Sequence, residues 1–170
     1  MFDIGEYIIY GKSGVCEVKD ISHPDMLGLD PARVYYTLVP VGTTETIFTP
    51  VDTTVFMRKA ISREAAIELI HSIPEIEDSI DVPESVSGKA LPAMYDELIQ
   101  THTCEDLVKL IVIVYSRTKR AHEAKRRMTQ TDQAYMKNAE DMLYGELSVA
   151  LGIPKEGMAD YIAAEIAALK

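Results

Sequence analysis

The chain has 170 residues, 47% of them hydrophobic and 26% charged, with a formal net charge of −10. That balance describes a globular protein of one or two domains rather than a disordered chain. It excludes indiscriminate nucleic-acid binding through bulk positive charge, and the longest apolar run, Leu110–Tyr115, is far too short to span a bilayer.

No positively charged, apolar leader opens the sequence, so a cytoplasmic protein without a membrane partner is expected. Cys16 and Cys104 fall in separate halves and are expected as reduced thiols.

The first 60 residues read as strands. Apolar, β-branched and aromatic runs cover Tyr7–Tyr10, Val15–Ile21, Val34–Val41, Thr46–Thr49 and Val55–Arg58. Gly11-Lys12-Ser13-Gly14 is a sharp turn between the first two. Five short strands in this length predict an SH3-like or Tudor-like β-barrel. Gly11-Lys12-Ser13 looks like the end of a phosphate-binding loop. However, Glu6 stands where that motif needs glycine and a strand follows where it needs a helix, so no nucleotide site is expected.

After Arg58 the apolar period lengthens to that of a helix, and residues 61–170 are expected to form an all-α domain of about five helices. Ser62 is a helix N-cap for the face Ala66, Ile67, Leu69, Ile70 and Ile73, and Pro74 is expected to end that helix. Residues 75–89 read as an acidic loop. A second helix is expected over Leu91–His102. Thr103 with Asp106, and Thr129 with Asp132, are capping signals for a third helix over Cys104–Arg127 and a fourth to Leu151. Gly152 and Pro154 close the fourth and introduce a fifth.

Charge is unevenly spread. Residues 74–108 hold nine acidic groups and one basic, whereas residues 109–127 hold seven basic and one acidic. On a helical wheel Leu107, Leu110, Ile111, Val114, Thr118, Ala121 and Met128 share one face. Arg117, Arg120 and Arg127 flank it on one side, Lys119 and Arg126 on the other. Two readings fit. The cations either compensate the helix dipole and the acidic segment, or they meet duplex phosphates. His23, His71, His102 and His122 are scattered without metal-ligand spacing. No nucleophile–base grouping stands in a recognisable context. No metal, cofactor, small-molecule substrate or catalytic residue is expected.

The order of motifs resembles the CarD/CdnL family of bacterial transcription regulators. In the first half the likeness rests on Ile4-Gly5-Glu6, the apolar run closing on Tyr10, the Gly11–Gly14 turn and the strand from Val15. In the second it rests on Met128-Thr129-Gln130-Thr131-Asp132 with Ala139, then Leu143-Tyr144-Gly145-Glu146-Leu147 and Ala150-Leu151-Gly152. The resemblance implies a non-enzymatic protein that binds the RNA polymerase β subunit through its barrel. It also implies a helical domain that meets promoter DNA beside the opened bubble, where the family inserts a tryptophan wedge.

This chain has no tryptophan. Leu91 stands at the wedge position, with Ala93 and Met94 where the family usually has basic residues. Phe48 replaces the arginine usual in the fourth strand. From the resemblance, Ile47, Phe48, Thr49 and Pro50 are expected to dock on polymerase. Arg117, Lys119, Arg120, Lys125, Arg126 and Arg127 are expected to follow DNA phosphates, with Leu91 at the fork. The rival expectation is a protein–protein adaptor that never touches DNA, followed by an enzyme with an unrecognised site.

Overall fold

Strand formation in the first half follows the β-branched and aromatic runs closely. The strands are β1 (Tyr7–Tyr10), β2 (Val15–Ser22), β3 (Tyr35–Pro40), β4 (Ile47–Pro50) and β5 (Met57–Lys59). A single 3-10 turn, Gly11–Ser13, joins β1 to β2, and Gly14 takes a φ of +72° that a side chain would resist. The computed structural model describes residues 1–82 and 89–170. These divide into two units, Met1–Ala60 and Ile61–Lys170.

The sheet is antiparallel throughout, in the order β4-β3-β2-β1-β5. The ladder is not closed into a barrel: among the described residues β4 and β5 do not pair. The sheet is nevertheless curled. β4 and β1 lie three positions apart, about 14 Å in a flat sheet, yet the Tyr10 hydroxyl donates to Thr49 Oγ1 at 3.1 Å. Ile8, Cys16, Val18, Tyr36 and Leu38 fill the concave side. The register shift between Val18 and Asp20 is the kind of irregularity that bends a strand.

The second unit contains α1 (Arg63–Ser79), α2 (Ala90–Gln100), α3 (Cys104–Glu123), α4 (Gln130–Leu151) and α5 (Met158–Ala168). Three N-caps form as the sequence signals. Ser62, Thr103 and Thr129 accept the backbone N–H of Ala65, Asp106 and Asp132 at 3.1, 3.2 and 3.0 Å. Gly152 ends α4 in the left-handed conformation.

Pro74 does not end α1, which runs on to Ser79. An interior proline removes one backbone bond and costs roughly 3 kcal/mol. Ile73 and Ile76, both buried on either side of it, offset that cost. The expected acidic loop is therefore partly helix, and residues 83–88 lie outside the described residues.

α3 is also shorter than expected, and it is buried on more than one face. Cys104, Leu107, Val108, Leu110, Val112, Ile113 and Val114 are all buried, because α1, α2 and α4 pack around this helix.

Candidate functional site

The outer strand β4 presents the first candidate surface. It pairs with β3 alone, in the register Tyr36↔Thr49 and Thr37↔Phe48, which leaves its other edge without a strand partner among the described residues. Alternation along the strand decides which side chains turn inward. Ile47 packs on the concave core and Thr49, 2% exposed, bonds to Tyr10. Phe48 and Pro50 are half-buried on the opposite face. Beyond the strand, Arg33 and Asp52 pair at 2.5 Å. The guanidinium hydrogen bond holds the Asp52 carboxyl below its ordinary range.

The second candidate surface is the basic end of α3. The helix stops at Glu123, and Ala124 N–H bonds to Arg120 O at 3.0 Å. Lys125 then takes a φ of +59°, and Arg126 N–H returns to Ala121 O at 2.7 Å. This left-handed closure is ordinarily made by glycine and is strained for lysine. Its consequence is positional. Arg126 and Arg127 leave the helical path and line one pocket of about 300 Å³ together with Arg117, Arg120 and Thr129. Arg126 and Arg127 also border a second concavity, of about 530 Å³, with His122, Gln130 and Gln133. Lys119 and Lys125 are exposed and line neither.

Arg117 is not a surface cation. Its side chain is 14% exposed, and its Nε donates to Asp132 at 3.3 and 3.4 Å. The buried Tyr95 hydroxyl donates to the same carboxylate at 2.5 Å. Burial, then the bond to Asp132, raises the Tyr95 phenol well above its ordinary pKa. Arg117 therefore ties α3 to α4 and α2, while Arg120, Lys125, Arg126 and Arg127 are exposed. Asp132 and Tyr95 are the members of this corner that sequence reasoning missed. The Thr129–Asp132 spacing marked Asp132 as a capping residue and carried no sign of its pairing with Arg117.

Leu91 departs furthest from expectation. It is 4% exposed and belongs to the helical core with Tyr95 and Leu107. The reason is α2's own periodicity. Leu91 and Tyr95 are one turn apart and share the buried face. A wedge between base pairs needs an exposed apolar tip, and Leu91 does not present one. Ala93 is exposed and Met94 half-buried.

Other chemistry is sparse. Among the described residues no three His, Cys, Asp or Glu side chains are grouped to hold a metal. Cys16 and Cys104 form no disulfide and both are buried, and burial pushes Cys16 up to about 11, so it is a poor nucleophile. No helix is long and apolar enough to cross a membrane among the described residues.

The first unit is thus a small curled antiparallel sheet whose outer strand β4 has one edge without a strand partner among the described residues. Residues 2–61 match the family of the CarD-like/TRCF RID domain, a family of RNA polymerase-interacting domains. The match covers the N-terminal unit, and residues 62–170 lie outside it. No curated protein matches the chain.

Proposed function

We propose that this protein is a non-enzymatic transcription regulator that docks on the RNA polymerase β subunit through β4 and holds promoter DNA phosphates at the basic end of α3. The match of residues 2–61 to a polymerase-interacting domain carries the reading. An edge strand can add to a partner's sheet, with backbone bonds giving affinity and alternate side chains giving specificity. In this reading Phe48 and Pro50 face polymerase, while Ile47 and Thr49 hold the strand's register from the core side. Arg120, Arg126 and Arg127 grip phosphates, Lys119 and Lys125 add charge around them, and Arg117 positions the corner.

Calorimetry of the full chain against RNA polymerase core enzyme tests the docking. Micromolar or tighter binding is expected, with Phe48→Arg changing the affinity by about fivefold or more. No binding would overturn the reading. For the DNA contact, Arg120→Ala with Arg126→Ala should shorten promoter-complex lifetime. It should also reduce the slope of log affinity against log salt by about 2, at roughly 0.9 per phosphate lost.

One observation favours a second reading, a polymerase-bound adaptor without DNA contact. The position expected to wedge the fork is buried in a protein of net charge −10. An unchanged salt slope in the double variant selects that reading.

A further inference from the structure

A groove in the helical unit has chemistry unlike that of the basic corner. It lies between α1, α3, α4 and α5 and encloses about 290 Å³. Its walls are branched aliphatic side chains, among them Ile73, Ile111 and Ile166. Two tyrosines join them, Tyr144 from α4 and Tyr115 from α3. Tyr115 is 63% exposed, which puts it on the rim. Ala159 and Ala163, one turn apart on α5, leave the remaining side open.

The polar lining is one-signed. Glu140, half-buried, and Glu77, exposed, line the groove, and among the described residues no lysine, arginine or histidine does. Neither glutamate makes an ion pair among the described residues. Burial, then the charge of Asp141, raises the Glu140 carboxyl above its ordinary range. Burial, then Glu140 itself, raises the Tyr144 phenol. A partly desolvated carboxylate beside aliphatic walls is costly while it lacks a counter-charge. A cation with an apolar body removes both costs. Its body covers the walls, its charge meets the carboxylates, and aromatic faces attract it further.

Size narrows the occupant. The volume sits at the small end of small-molecule sites, about 300–1,000 Å³, and is too small for a docked helix of about 10 Å diameter. We propose that this groove binds a small apolar organic cation of the alkyl- or arylalkyl-ammonium class, with its ammonium at Glu140 and Glu77 and its hydrocarbon body between α3 and α5. This inference does not depend on polymerase or DNA binding.

The test is an NMR titration of the full chain with 4-phenylbutylammonium and with its neutral counterpart 4-phenylbutanol, following the Tyr115, Tyr144 and Met136 signals. The cation should bind with a Kd of about 1 mM or tighter, and the alcohol about tenfold more weakly. Glu140→Gln should weaken the cation about threefold to fivefold, the range of a partly exposed charge pair, and leave the alcohol unchanged. Ala163→Phe should abolish both by filling the groove. Equal binding of cation and alcohol would overturn the proposal. So would full cation affinity in Glu140→Gln, a near-isosteric change that carries the test even if Ala163→Phe does not fold. Shifts confined to signals outside the groove would overturn it as well.

Discussion

The two units bury polarity in opposite ways. Among the described residues, the polar side chains buried in the sheet unit carry neutral hydroxyls, Thr49, Tyr35 and Tyr36, whereas the helical unit buries two carboxylates, Asp132 and Glu146. A sheet satisfies its backbone by pairing and leaves unpaired groups at its edge, where a partner can use them. A helix satisfies its interior backbone internally, so its polar recognition must come from side chains. In this bundle those side chains also tie helices together. Asp132 accepts from Tyr95 on α2 and Arg117 on α3. Glu146 accepts from Ile61 N–H at 2.7 Å, just before α1, and from Cys104 at the start of α3 at 3.2 Å.

The contrast breaks most sharply at Asp132. Asp132→Ala removes the carboxylate that the largely buried Arg117 and the Tyr95 hydroxyl share, and should cost about 3 kcal/mol or more. Hydrogen exchange on the full chain should show that loss across α2, α3 and α4, with the sheet unit unaffected. A loss below about 1 kcal/mol would mean that Arg117 relaxes into solvent and that the corner is looser than its geometry. Glu146→Ala removes the acceptor of the Ile61 N–H and should cost about 2 kcal/mol, read as faster exchange at the start of α1.

The sheet unit should respond less. Tyr10→Phe deletes the hydroxyl bond between β1 and β4 and should cost about 1 kcal/mol, with exchange quickening along β4. An effect as large as that of Asp132→Ala would erase the contrast.

The smallest predicted difference is in acid. Glu6 is held below the ordinary carboxylate range by the Asp3 backbone N–H first and by Lys59 second, and Asp52 by Arg33. A carboxyl depressed by folding contributes stability above its unfolded pKa, and that stability is lost as pH falls through the folded value. Glu140 is raised, so its contribution has the opposite sign: it favours the folded state at low pH and fades as pH rises. Between about pH 3 and 5, Glu6→Gln should therefore flatten the acid loss of the sheet unit. Glu140→Gln should remove a gain in the helical unit. Thermal unfolding of the two variants across that range checks the signs.

Much of the fold was legible because its signals are local. Strand runs, the glycine turn at Gly14 and the three Ser or Thr caps depend on side chains within a few residues of the backbone they satisfy. Ser62, Thr103, Thr129 and Gly152 therefore mark helix ends in the sequence as they do in the structure. The choice between Ile47 and Phe48 as the inward residue was half legible, since alternation requires one of them but does not say which.

The tertiary structure decided what depends on distant partners. Pro74 reads locally as a stop, yet burial of Ile73 and Ile76 carries α1 through it. The resemblance sets Leu91 at the wedge position, yet α2 turns it into the core. Arg117 and Arg120 are the same residue type three positions apart, and nothing local in the sequence distinguishes them. Asp132, fifteen residues from Arg117 in sequence, takes Arg117 into the interior, whereas Arg120 stays exposed. The left-handed turn at Lys125 then brings Arg126 and Arg127 round to the same pocket. Composition and local propensity thus determined the elements and their caps. Which charges are paired inside and which are offered outside was decided by packing, because the free energy of a charge depends on what surrounds it in space.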